Sequence, residues 1–364
     1  MKTETLPMAP TGVEMQHLLR LMVERKASDL HLTAGSSPFL RIDENLIPVE
    51  APKLNSQDIR ALAYSLLSPD RIATFEQEKE LDMSFGVDGL GRFRVNVFLQ
   101  RGSVSVAIRL LPFHIRTFEE CGLPVDILSD LCRRKRGLVL ITGATGSGKS
   151  TTLASMVERI NQEFPYHILT MEDPIEYVHV NKKSIIDQRE IGTDTHSFHA
   201  ALRHVLREDP NVILIGEMRD LETIESALNI AETGHLVLAT LHTSDAVQTV
   251  NRIVDVFPSH QQQQVRIQLS FVLLAVISQQ LIPRASREGR TLGIEILIAT
   301  PAVRSLVREA KAHQIYSVVQ TSHREGMRTM NQSLSELYRK KEISYEEAIA
   351  RSPDAEEFLR LIHG

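Results

Sequence analysis

The sequence predicts an α/β protein in which a small α+β domain precedes a larger one with a mostly parallel sheet covered by helices. Three observations carry this reading. Short alternating segments crowd the first third, apolar strands alternate with longer helical stretches in the middle, and the chain ends in a purely helical pattern. Met15, Leu18, Leu19 and Met22 fall at i, i+3, i+4 and i+7, the stripe of an amphipathic helix. Leu30 and Leu32, Leu40 and Ile42, and the segments from Arg92 and Val104 then read as strands, with Gly35, Pro38, Gly86, Gly89 and Gly102 as turns between them. This domain spans 1–111. A connection over 112–124 carries Pro112, Gly122 and Pro124, a core covers 125–300, and a helical region covers 301–364. The core strands begin at Gly137, His167, Asn211 and His235, and the apolar stretch from Phe271 to Ile277 reads as a buried helix.

With 364 residues the chain can bury a large core and reach two domains at about 150 residues each. A net charge of −5 lacks the generally basic footprint of many nucleic-acid binders. The first residues, MKTETLPMAP, have no apolar core of signal-peptide length, and no apolar run reaches the ~20 residues of a membrane span, so a cytoplasmic protein is expected. Cys121 and Cys132, the two cysteines, form no CxxC and have no His partner at metal spacing, which speaks against a structural zinc site.

Gly143, Ala144, Thr145, Gly146, Ser147, Gly148, Lys149 and Ser150 match GxxxxGK[ST], and Thr151 continues into a helical stretch. Without side chains at the glycines, backbone N–H groups can wrap a phosphate, and the helix N-terminus adds positive potential. Lys149 is expected to reach the β- and γ-phosphates, and Ser150 to ligate Mg²⁺. The segment NVILIGE ends in Glu217, where many P-loop enzymes place an aspartate for magnesium; capping the next helix is its plainer role. MEDPIE brings Glu172, Asp173 and Glu176 to the same sheet edge, although a solvated turn at Asp173-Pro174 stays open. His235 and His242 bracket the fourth strand and would lie ~23 Å apart if it is fully extended. His242 is therefore the candidate for sensing the γ-phosphate, and His235 has a packing or subunit-contact role.

The phosphate loop, TMEDPIEYVH, GEMRDLETIESAL and TGHLVLATLHT together resemble the Walker A, Asp-box, Walker B and His-box motifs of type II/IV secretion ATPases. AETGHLVLATLHTSDAVQTVNRIVDVFP and PAVRSLVREAKAHQI are similar, more narrowly, to the PilT family of type IV pilus retraction motors. The likeness runs from Ser28 to the segment that begins at Met330. It implies a PAS-like N-terminal domain, a RecA-like P-loop ATPase core and a homohexamer that uses ATP and Mg²⁺. It also implies a pilus platform protein of the inner membrane as partner, a position at the cytoplasmic face of that membrane, twitching motility as output, and no nucleic acid. Glu172 matches the glutamate proposed as general base and Glu217 the Walker B glutamate; the residues do not settle which does which. Arg94, Arg101 and Arg109, on the last strands of the first domain, match arginines that supply positive charge to the γ-phosphate, although solvated surface is the plainer reading for each.

Accessory retraction, extension or secretion-assembly ATPases are the alternatives within this class. The assembly enzymes usually carry a longer N-terminal region and a cysteine-rich metal insertion, neither of which is read here. A RecA-like nucleic-acid translocase and a scaffold that does not turn over are the alternatives outside it. Met171 and Glu208 depart from the family pattern without removing a chemical group. Finally, Thr300 as N-cap and Pro301 predict a helix toward Ala310, with Val303, Leu306, Val307 and Ala310 facing inward. Arg304, Arg308 and Lys311 form a basic strip on another face. The resemblance gives that strip to retraction rather than to hydrolysis, and its loss is expected to cost little stability.

Overall fold

The computed structural model describes residues 12–42, 45–111, 114–286 and 289–363, so the expectations for residues 1–11 and for Pro112 lie outside the described residues. The chain forms two compact units, one running to His114 and including Glu176–Val178, the other comprising Ile115–Ile175 and His179–Gly364.

The first unit contains α1 (Met15–Glu24), β1 (Asp29–Leu32), β2 (Phe39–Ile42), β3 (Asn45–Pro48), α2 (Ser56–Tyr64), α3 (Pro69–Glu78), β4 (Glu80–Val87), β5 (Gly91–Gln100) and β6 (Ser103–Leu111). Its strands make one antiparallel sheet in the order β3-β2-β1-β6-β5-β4. The α1 stripe is fully buried, and Phe93, Val95 and Val97 of β5 face the same core while Arg92, Arg94 and Asn96 alternate outward. The strand reading passed over α2 and α3. Their start signals are nonetheless local: Asn55 and Asp58 close a capping box on α2, and Ser68 caps α3 ahead of Pro69. Arg101 is not on a strand as expected. It sits in the turn between β5 and β6 with φ 51, in the left-handed region, followed by Gly102.

The second unit continues with α4 (Val125–Cys132), β7 (Gly137–Thr142), α5 (Lys149–Glu163), β8 (His167–Glu172), β9 (Ile185–Glu190), α6 (Phe198–Val205), β10 (Val212–Ile215), α7 (Leu221–Glu232), β11 (Leu236–Leu241), α8 (Ala246–Asp255) and α9 (Ser259–Val272). Then come β12 (Leu273–Pro283), β13 (Arg290–Ile298), α10 (Pro301–Arg308), α11 (Ile315–Thr321), α12 (Met330–Arg339), α13 (Tyr345–Arg351) and α14 (Ala355–His363). The seven strands run in the order β13-β12-β7-β11-β10-β8-β9, parallel except for β13 against β12. Leu140 and Val237 face one apolar cluster and Ile141 and Leu238 the other, so both faces of the sheet are covered. Each such side chain contributes about 1.5–3 kcal/mol on full burial.

The stretch from Phe271 to Ile277 is not a buried helix. Helix α9 ends at Val272, Phe271 is 63% exposed, and Leu273 opens β12, whose residues alternate between the two cores. A short apolar run buried on both faces has no periodicity to separate strand from helix. At the C-terminal end, α10 is capped by Thr300 and opens on Pro301 as expected, and Val303 and Val307 are buried. Ala310 does not join them: it is exposed with φ 58, beyond the end of the helix. In β13 the buried Glu295 accepts from the N–H of Ala246 at 2.8 Å and of Met330 at 3.4 Å, the first residues of α8 and α12, and burial pushes its carboxyl up to about 7. Among the described residues no helix is long and apolar enough to cross a membrane.

Candidate functional site

Residues 143–148 join the interior strand β7 to α5, and Gly143, Gly146 and Gly148 take φ of 139, 79 and 93. At Gly143 only hydrogen fits: a Cβ would lie 2.4 Å from the Gln279 carbonyl and 2.6 Å from Ser147 Oγ. Gly148 caps α5 without a side-chain hydrogen bond, which leaves the helix's first N–H groups facing the loop. Ala144, Thr145 and Gly146 are exposed, and Ser150 and Thr151 are half-buried. Ser147 Oγ is buried with no hydrogen-bond partner among the described residues, a polar atom suited to a phosphate oxygen. The Lys149 ammonium folds back over the loop and donates to the carbonyls of Gly143 at 2.8 Å and Ala144 at 3.1 Å.

The register of the parallel strands brings the acidic and histidine candidates to the same edge. Thr142 pairs with Leu241, so His242 leaves the sheet level with the start of the phosphate loop. Ile215 lies level with Ala239 and with Met171, which sets Gly216 beside Glu172 and Glu217 just above. At ~4.8 Å per strand, β10 lies ~10 Å from β7 and β8 ~14 Å, so Glu217 emerges nearer the loop than Glu172. The Glu217 carboxylate meets Arg219 Nε at 2.6 Å and His242 Nε2 at 3.2 Å through the same oxygen. Burial alone would raise its pKa, but the hydrogen bond from Arg219 and the charge of His242 hold it below the usual range. Glu172 accepts from Thr170 Oγ1 at 2.7 Å and from Gln188 Nε2 at 3.2 Å.

Other expected residues take separate places. Strand β8 ends at Glu172; Asp173 lies beyond it, and Glu176 belongs to the stretch grouped with the first unit, so the three carboxylates do not share a strand end. His235, at the opposite end of β11, contacts Thr233 Oγ1 at 3.2 Å and the Ile230 carbonyl at 3.3 Å. In the first unit Arg94 pairs with Asp82, and Arg109 Nε with Asp29 at 2.8 Å, its side chain remaining 65% exposed. Sequence reasoning missed Arg219 and Gln188. Arg219 stands two residues past Glu217, a local signal, whereas Gln188 lies on β9, a strand that was not read.

Arg304 overturns the expectation of a solvated basic strip. Its guanidinium donates to the carbonyls of Ser270 and Phe271 at 2.6 Å each, Leu273 at 2.8 Å and Ala299 at 2.9 Å, and so ties the end of α9 to the start of β12. Arg308 and Lys311 are the exposed members, and Lys311 pairs with Glu309. Arg304→Ala is accordingly expected to destabilise the protein by on the order of 1.5–3 kcal/mol, because it strips charge-assisted bonds from helix-end carbonyls. Thermal unfolding checks this: a drop of roughly 3–6 °C is expected for Arg304→Ala, and little change for Arg308→Ala.

A glycine-rich loop between an interior parallel strand and a helix, with carboxylates at the same edge of the sheet from strands two and three places away, defines a P-loop ATPase. The sequence matches the family described as Type II/IV secretion system protein over residues 8–350, and the chain belongs to that family. Its relatives narrow the class. The chain is 46% identical to the type IV pilus retraction ATPase PilT of Pseudomonas aeruginosa, over 95% of its own length and 100% of the relative's. It is 41% identical to the type IV pilus ATPase PilU of the same organism, over 96% and 91%. The crystal structure of the pilus retraction motor PilT with bound ADP aligns with a TM-score of 0.90 at 51% identity, covering 96% of this chain and 99% of that one. The structure of the ATPase DotB of Legionella pneumophila aligns at 0.82 and 27% identity, over 95% and 97%.

Proposed function

We infer that this chain is an ATP-hydrolysing motor that powers type IV pilus retraction. The observation that carries the reading is that likeness to the retraction ATPase PilT runs through the whole phosphate site and on to the C-terminal helices. Residues 1–111 and 125–300 act as the two working domains of a hexameric ring in the cytoplasm, set against the pilus platform protein of the inner membrane. Loop residues Gly143 to Thr151 bind the phosphates, with Lys149 turning from the Gly143 and Ala144 carbonyls to the β- and γ-phosphates. Ser150 and Glu217 hold Mg²⁺. Among the described residues no group of three or more His, Cys, Asp or Glu could hold a metal ion. One hydroxyl and one ionised carboxylate are the small protein share that Mg²⁺ takes beside phosphates and water. The ion neutralises charge on the β- and γ-oxygens when bound. Glu172 orients the attacking water, and His242 reads the γ-phosphate through its contact with Glu217. Arg94, Arg101 and Arg109 are the cations that the first unit offers to a neighbouring subunit's γ-phosphate.

Clean deletion of the gene, scored for surface pili and twitching, tests the reading. Excess pili without twitching are expected. Bald cells would assign the chain to extension, and normal pili with normal twitching would remove it from the retraction step.

A further inference from the structure

Behind the phosphate loop, β12 carries two polar side chains that the roles above do not use. Ser278 pairs in register with Thr142, the residue before the loop, and Thr142 Oγ1 donates to Ser278 Oγ at 2.8 Å. Next along the strand, Gln279 Nε2 donates to Thr152 Oγ1 at 2.8 Å, and that hydroxyl returns to Gln279 Oε1 at 3.2 Å. Thr152 lies in the first turn of α5, so two consecutive residues of one strand grip the chain on either side of the loop. The main chain closes in as well, since the Gln279 carbonyl occupies the space a Cβ on Gly143 would need. All four side chains are at most 2% exposed. Apolar residues would fill such a space without the desolvation cost of hydroxyls and an amide. What the polar pairs add is direction, because a hydrogen bond fixes distance and angle where apolar contact does not.

We propose that Gln279, acting through Thr152, is the positioning residue of the phosphate loop. It holds the first turn of α5 in register with β7, so that the loop N–H groups stand aligned before the nucleotide arrives. The inference rests on the phosphate-site reading above, and it concerns affinity: a preorganised loop binds more tightly because less ordering remains to be done on binding.

The test uses the full chain, with ADP titrated calorimetrically, KM and kcat measured for ATP, and a melt for every variant. Gln279→Leu strips the amide and strands the Thr152 hydroxyl. The double variant Thr152→Val with Gln279→Leu removes both partners, a change that is close to neutral for folding. The double variant is expected to melt near wild type yet bind ADP about tenfold more weakly, with KM for ATP raised similarly and kcat within about threefold. Thr152→Ser, which keeps the hydroxyl, should bind ADP as wild type does. The proposal is overturned if the double variant binds ADP like wild type, or if it fails to fold, since either outcome assigns the pair to packing alone. Should Gln279→Leu not fold, the double variant still decides. Failure of the wild-type chain to bind ADP would instead sink the phosphate-site reading itself.

Discussion

Lys149→Ala is expected to reduce ATP hydrolysis by on the order of 10²–10³-fold or more while leaving a single cooperative melt. In the structure Lys149 is 9% exposed, and its ammonium lies over the loop, bonded to the Gly143 and Ala144 carbonyls. It is the one cation built into the loop, and truncation to alanine removes the charge that would stabilise the γ-phosphate as it transfers. The cost to folding is limited to about 1 kcal/mol for each freed carbonyl, because the apolar clusters on the two faces of the sheet are untouched. Phosphate release measured beside thermal unfolding checks both halves. Turnover near wild type in a sample with one cooperative melt would refute the phosphate-site assignment.

Replacing Glu172 or Glu217 with Gln should slow turnover by about 10²–10⁴-fold for whichever acts as general base, with ATP binding largely intact. Glutamine keeps the shape of each side chain and can still accept from Thr170 and Gln188, or from Arg219, so the change is in charge rather than in packing. The two residues are held differently. Glu217 shares one oxygen between Arg219 and His242 and is kept ionised, as a metal-supporting carboxylate requires. Glu172 accepts hydrogen bonds from two neutral donors, Thr170 and Gln188. Single-turnover rates with pre-bound ATP distinguish them: the variant that binds but does not cleave identifies the base. If both variants turn over at the wild-type rate, the carboxylates have been assigned the wrong chemistry.

Much of this site was legible because its signals are contiguous. The loop motif, the four apolar strands and the Thr300-Pro301 helix start each depend on a few neighbouring residues and on backbone rules that hold in any context. The α1 stripe was equally readable, since one buried face leaves a 3.6-residue period. Strand β12 was not: its neighbours cover both faces, and the period that would mark it as a strand is erased.

From the sequence alone came the class of fold, the phosphate loop and the identity of the strand-end glutamates. Tertiary structure decided which side chains those residues meet. Arg304 looks like a surface cation in its own helix, yet its carbonyl partners at Ser270, Phe271 and Leu273 lie 34, 33 and 31 residues away. Glu217 and His242 come together only because β10 and β11 are adjacent and in parallel register. Likewise, Gln279 reaches Thr152 across 127 residues. Such contacts depend on the order of strands in the sheet, which local periodicity does not encode, and hydrogen bonds of this kind form only where the fold brings donor and acceptor within about 3 Å.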